Sequence, residues 1–208
     1  CTVTVAWDDA HVVYPAVLDP SWKSTADMVV ARSQHSMTRV GADKILIVGG
    51  KASQNKVEIY TPPAPADWGA LGTFAVTSDL PFSAPPTEHV AAALPGDRAL
   101  IAEGAWDDAG STALTAQAAI YDLAQGTWQA APAMAQHRYR AASVTLPDGR
   151  VLVTGGRTIA GFNTKSIATC EVFTPAAQGG AWQTVASLAQ ARAAHSASVL
   201  PDGGVMVA

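Results

Sequence analysis

The sequence is poor in charge. Only 14% of its 208 residues are Asp, Glu, Lys or Arg, and the formal net charge is −4. No basic block is present to neutralise phosphates, which argues against nucleic acid as a partner. No acidic tail or polyanionic run appears either. Two cysteines, Cys1 and Cys170, are too few for a disulfide scaffold. No apolar run reaches the ~18 residues of a membrane-spanning helix. No charged-then-apolar leader stands at the start of this numbering. No segment holds a helical period of about 3.6 residues between caps, so almost no helix is expected. What the chain has instead is apolar content, 49% of residues, which is the composition of a packed globular protein. Few lysines, few thiols and many Ala, Thr and Ser suit a bacterial protein outside the cytoplasm.

The apolar residues recur in a long period. RYRAASVTLPDGRVLVTGG, ending at Gly156, matches ARAAHSASVLPDGGVMVA, ending at Ala208, with Leu146-Pro147-Asp148-Gly149 repeated 54 residues later as Leu200-Pro201-Asp202-Gly203. Two further copies are ARSQHSMTRVGADKILIVGG, ending at Gly50, and TEHVAAALPGDRALIAEG, ending at Gly104. A second block follows each of the first three: VEIYTP (57–62), AAIYDL (118–123) and CEVFTP (170–175). A tryptophan stands seven to nine residues after the aromatic of each, at Trp68, Trp128 and Trp182. Tyr14 and Trp22 supply one more such pair near the start. Runs of strand length, rich in β-branched residues and split by LPDG or LPGD turns, predict strand A, a hairpin and strand B. A longer loop then leads to strand C around the aromatic and strand D near the tryptophan. One four-stranded antiparallel sheet cannot bury both its faces, and radial stacking of copies solves that.

This pattern resembles the kelch repeat, and the resemblance covers essentially the whole chain. Its elements are Arg-x-x-His at Arg32/His35 and Arg192/His195, Gly-Gly at 49–50 and 155–156, and Glu-x-Tyr/Phe at Glu58/Tyr60 and Glu171/Phe173, together with the spaced tryptophans. The fold it implies is all-β: a kelch-type β-propeller segment of about four to four and a half four-stranded blades, read here as part of a six- or seven-bladed ring. The blades divide as 1–28 (part), 29–84, 85–135, 136–189 and 190–208 (part). Read as starting and stopping in strand B, the chain is expected to be a slice of a propeller. The architectural set is Arg32, His35, Gly49, Gly50, Tyr60, Trp68, His89, Gly104, Tyr121, Trp128, Arg138, Gly155, Gly156, Phe173, Trp182, Arg192 and His195. His35, His89 and His195 could be read as a ring of metal ligands, but a position repeated in every blade is expected to be architecture.

The departures from the repeat draw attention. Glu103 stands where the first glycine of the pair belongs, and Pro86 where arginine belongs. Ala141 replaces a histidine, with His137 and Arg138 just before it. The pentapeptide AWDDA occurs twice, at 6–10 and 105–109, in the loop after strand B. Asp8, Asp9, Asp107 and Asp108 are therefore candidate Ca²⁺ ligands, although paired Asp are also ordinary turn residues. Glu103, Asp107, Asp108 and Arg157 are candidate ligand-binding residues at one rim, with Glu103 facing the central channel. No other cofactor is evident.

The function expected is a non-catalytic binding or scaffold protein that presents propeller loops to a protein or a carbohydrate ligand. One rival is a copper radical oxidase resembling galactose oxidase, whose catalytic blades would lie outside this chain. No Tyr-His dipeptide occurs here, and Cys170 in strand C reads as a packed thiol. Sialidase-like Asp boxes are not matched, since Asp122 and Gly126 stand too far apart before Trp128. The other rival is a structural component that associates with itself through open blade edges.

Overall fold

The structure is a computed structural model, described over residues 25–64, 70–108, 111–114, 117–160 and 163–208, with backbone alone at 106–108, 111–113 and 160. Among these residues every regular element is a strand. Three sheets of four antiparallel strands follow one another along the chain. The first runs β1 (Ser36–Val40), β2 (Lys44–Val48), β3 (Glu58–Thr61) and β4 (Thr73–Val76). The second is built from β5 (Val90–Leu94), β6 (Arg98–Ala102), β9 (Ala118–Asp122) and β10 (Thr127–Ala131). The third uses β11 (Ala142–Thr145), β12 (Val151–Thr154), β15 (Cys170–Thr174) and β16 (Ala181–Val185). The hairpin β17 (Ala197–Val199) with β18 (Val205–Val207) follows the third sheet. The fold is all-β and is a partial propeller.

Two short hairpins were not expected. β7 (Ala105–Asp108) pairs with β8 (Ser111–Leu114), and β13 (Arg157–Ala160) pairs with β14 (Asn163–Ser166). Both interrupt what reads in sequence as a plain loop between strands B and C. The second AWDDA is therefore strand over most of its length, with Asp107 opposite Thr112 and Asp108 opposite Ser111 in the register. The side chains of Asp107 and Asp108, and all of the first AWDDA with Asp8 and Asp9, lie outside the described residues.

The core lies between sheets, and each strand's alternation shows why. In β6, Ala99 and Ile101 point one way and pack with Val40, Leu46, Val48 and Val57 of the first sheet. Leu100 and Ala102 point the other way and pack with Val151, Val153 and Phe173 of the third. A strand covered on both faces needs no polar side, so RALIA reads as a continuous apolar run. β9 does the same with Ala119 and Tyr121 on one face, Ala118 and Ile120 on the other. Each buried Val, Leu or Ile among them contributes about 1.5–3 kcal/mol, and each alanine methyl less.

The aromatics of strands C and D sit side by side. Tyr121 is 5.1 Å from Trp128 and Phe173 is 4.9 Å from Trp182, centroid to centroid. In the first sheet the partner of Tyr60 is Phe74, at 4.9 Å. Trp68 lies outside the described residues, and the register pairs Tyr60 with Phe74. The reason is the Pro-rich stretch PPAPADWGALG (62–72), which delays β4 until Thr73. The other two indoles reach back to the preceding sheet's segment. Trp128 Nε1 donates to the Ser78 carbonyl at 3.1 Å and Trp182 Nε1 to that of Pro132 at 2.8 Å.

Candidate binding site at the axial mouth

The first strands of successive sheets, β1, β5, β11 and β17, lie next to one another and so form the innermost layer. The residue pairs leading into them carry most of the repeat's buried charge. Arg32 donates to the carbonyls of Gly49 (3.2 Å) and Lys56 (2.8 Å) and to Glu58 Oε1 (2.7 Å). Arg138 repeats this with Gly155 (2.9 Å), Thr169 (2.7 Å) and Glu171 Oε1 (2.6 Å). Each glutamate also accepts two backbone N–H groups: Glu58 from Val29 and Val30, Glu171 from Ala135 and Gln136. These ions are fully paired, as burial requires. Their job is to tie strands B and C to the segment entering strand A. In the second sheet Pro86 and Ala119 occupy the two positions, so the pair is lost as a unit.

The histidines belong to the joints between sheets. His89 Nε2 is 2.7 Å from Ser36 Oγ, and His195 Nε2 is 2.8 Å from Thr154 Oγ1. His89 is held neutral, its pKa lowered to about 4 by burial. Burial also lowers His35 and His195. They sit at separate joints, and among the described residues no cluster of three metal-ligating side chains forms. At Gly49 an added Cβ would come within 2.8 Å of the His89 ring, and at Gly155 within 2.9 Å of the His195 ring. Both glycines have left-handed φ, 67° and 56°.

Glu103 occupies the same place in the second sheet, with φ 56°. The residue facing it across the joint is Ala141, not histidine, and the side chain takes that space. Its carboxylate is buried at 0% exposure, accepts the Arg138 N–H at 2.7 Å, and lies 3.2 Å from His137 Nδ1. The expectation that it faces the central channel is thereby corrected: it is a contact between blades. Burial raises its pKa to about 7 against the opposing hydrogen bonds from Arg138 N–H and His137.

The end of this innermost layer is built by other residues. Gln34, Glu88, Arg140 and Ala194 occupy one position in four successive repeats, all left-handed, with φ of 59°, 53°, 53° and 55°. Their backbones link around the axis: Glu88 N–H donates to Gln34 (3.4 Å), Arg140 to Glu88 (3.0 Å) and Ala194 to Arg140 (2.9 Å). Glu88 Oε1 accepts Arg140 Nε at 2.8 Å and Gln34 Nε2 at 3.4 Å. Just outside this ring stand the residues that follow the glycine pairs, Lys51, Ala105 and Arg157, bridged to Ser33, Thr87 and Tyr139. Apart from Ser33 and Ala194, these residues line an open polar cleft of about 200 Å³. Arg157 lines this cavity, whereas Glu103 is buried at the joint between sheets. Gln34, Glu88 and Arg140 were missed. The signal was available: the position just before the repeat's His position changes chemistry in each copy, from Gln34 to Glu88, Arg140 and Ala194.

A second, larger cavity of about 460 Å³ opens on the outer face of the first sheet, lined by Met37, Ile45, Ile47, Tyr60 and Phe74. It is the counterpart of the faces that the other sheets bury against a neighbour. Cys170 is a buried free thiol that contacts the Ala168 carbonyl at 3.6 Å.

No protein-family model matches the chain, and no curated protein matches it. Among solved structures it is similar to that of YjhT, a kelch-like β-propeller, with a TM-score of 0.67 at 13% identity. The match covers 83% of this chain and 56% of YjhT, so the chain spans little more than half of that protein's length. At that identity the likeness establishes the fold alone.

Proposed function

We propose that this chain is a kelch-repeat propeller module without a catalytic role, acting outside the cytoplasm, and that it binds a protein or glycan partner at the axial mouth. One observation carries this reading. Four successive repeats hold one position in the same backbone conformation, φ 53–59°, and fill it with Gln, Glu, Arg and Ala. A constant frame with variable side chains around a preformed polar cavity is how a scaffold displays a binding surface. The other repeated polar residues, Arg32, Arg138, Glu58 and Glu171, are consumed in holding that frame. The test is a panel of immobilised glycans and proteins probed with the full chain and with the double variant Gln34→Ala/Arg140→Ala. The reading requires at least one specific binder that the double variant loses while its thermal midpoint holds. Binders retained in full by the double variant would overturn it.

A further inference from the structure

We propose that Asp202-Gly203, at the tip of the β17–β18 hairpin, is a site of spontaneous backbone modification. There the aspartate closes to a succinimide and reopens as isoaspartate. The same pair one repeat earlier, Asp148-Gly149, is protected by Arg150 and by the neighbouring turn.

The sequence holds two Asp-Gly pairs, and both stand in the turn Leu-Pro-Asp-Gly. In the first step the glycine nitrogen attacks the aspartate Cγ, and the carboxyl OH leaves with the N–H proton as water. A water then opens the ring. Opening at the α-carbonyl routes the main chain through Cγ and leaves a free α-carboxylate. One water is released and one is consumed, so no oxidant or other reactant is needed. Glycine suits the step because no Cβ shields its nitrogen and its torsions are free to turn.

The two turns share one frame. Gly149 N–H donates to Leu146 O and Gly203 N–H to Leu200 O, each at 2.9 Å. Leu146 N–H donates to Arg150 O and Leu200 N–H to Gly204 O, each at 2.7 Å. Both glycines have φ of 84°. Asp148 Oδ1 accepts Arg150 N–H at 3.1 Å, and Asp202 Oδ1 accepts Gly204 N–H at 2.9 Å.

The turns differ in what holds them. Asp148 Oδ2 also binds the Arg150 side chain, Nε and Nη2 both at 2.7 Å. That hydrogen-bonded guanidinium keeps the carboxyl below its ordinary pKa, so less of it is the neutral acid that loses water. Gly204 stands where Arg150 stands, and Asp202 Oδ2 has no partner among the described residues. Gly149 is buried, and a Cβ there would come within 2.6 Å of Pro95 in the neighbouring turn. Gly203 is exposed, and a Cβ there would meet no described residue within 4 Å, Pro147 (the counterpart of Pro95) included. The braced turn belongs to a four-stranded sheet and the open one to a two-stranded sheet. Ring closure needs the Asp and Gly torsions to move, and the second turn has the room and the low local stability for it.

The full chain, incubated at neutral pH and digested at intervals, tests this. Isoaspartate at each site is counted by electron-transfer fragmentation and by esterification with an isoaspartyl carboxyl methyltransferase. The linear peptides Val199–Met206 and Thr145–Leu152 run alongside as references without a fold. Asp202 is expected to convert several-fold faster than Asp148 in the chain, by a larger ratio than between the peptides. Gly204→Arg should slow Asp202 and Arg150→Gly should speed Asp148, each about two- to fivefold, the range of an exposed ion pair. Amide exchange in the converted chain should rise in β17 and β18, where the longer backbone works against the register Ser198↔Met206, and stay unchanged in β6. Equal conversion at the two sites overturns the proposal, as does a ratio no larger than the peptides show. Unchanged rates in both variants overturn it as well.

Discussion

At residue 103 a glutamate does what a glycine and a histidine do at the neighbouring joints. An added Cβ at Gly49 would meet the His89 ring and one at Gly155 the His195 ring, whereas at the joint of Glu103 the histidine's repeat position is Ala141 and the carboxylate binds the Arg138 N–H. The two departures from the repeat are one compensated exchange, and a double-mutant cycle would reveal it. Ala141→His alone is expected to cost about 1–3 kcal/mol from overpacking against Glu103. Glu103→Gly with Ala141→His should recover much of that, because it restores the pairing used at the other joints. Additive losses in chemical denaturation would refute the exchange. The same carboxylate sets a pH dependence. Its folded pKa is raised from 4.5 to about 7, so the folded state holds the extra proton between those values. Its contribution is fully favourable below pH 4.5 and is lost as pH rises through 7. Glu103→Gln should flatten the fall in thermal midpoint across that window, and an unchanged slope would count against the assignment. His89 acts in the opposite sense. With a folded pKa lowered from 6.5 to about 4, it favours folding above pH 6.5 and loses that contribution as pH falls towards 4. His89→Gln should therefore weaken the acid-side loss. Both departures were visible in the sequence. Their coupling was not, because it depends on which strand end of one blade faces which loop of the next.

Among the elements, the segment entering strand A is held by a buried arginine in two repeats and by none in the repeat between them. Arg138 at 0% exposure reaches Glu171 and two carbonyls, while Pro86 and Ala119 show that a blade can dispense with both ions together. Arg138→Leu is expected to cost about 3–5 kcal/mol, since it strands the Glu171 carboxylate in the core. The double variant Arg138→Leu/Glu171→Ala should cost clearly less than the sum of the single changes, as read from urea midpoints at constant slope. Simple additivity would mean that the two side chains act independently. The A–B hairpins and the C strands were legible because turn residues bracket apolar runs. The hairpins β7–β8 and β13–β14 were not. Segments such as RTIA and NTKS carry little apolar signal and are fixed by bridges such as Tyr139 to Arg157, which no local pattern encodes.

Across the whole molecule, burial is uneven in a way that follows from radial stacking. The second sheet has a neighbour on each face, and β6 buries Ala99, Leu100, Ile101 and Ala102 at 0% exposure. Among the described residues the first sheet has a neighbour on one face and leaves Met37 65% exposed on the other. The hairpin β17–β18 has only two strands, and Met206 on it is 53% exposed. In a stack where each unit contacts only its neighbours, stability is a sum of unit and interface terms, so opening begins at the ends. Amide hydrogen exchange should therefore be slowest in β6 and β9, intermediate in β1 and β2, and fastest in β17 and β18. Substitution should follow the same order. Leu100→Ala, which leaves a cavity between two sheets, is expected to cost about 2–5 kcal/mol, and Met206→Ala within about 0.5 kcal/mol of nothing. Uniform protection across all strands, with both variants shifting it equally, would mean that the chain unfolds as a single cooperative body. The nearest-neighbour picture drawn from the repeat would then be wrong for this chain.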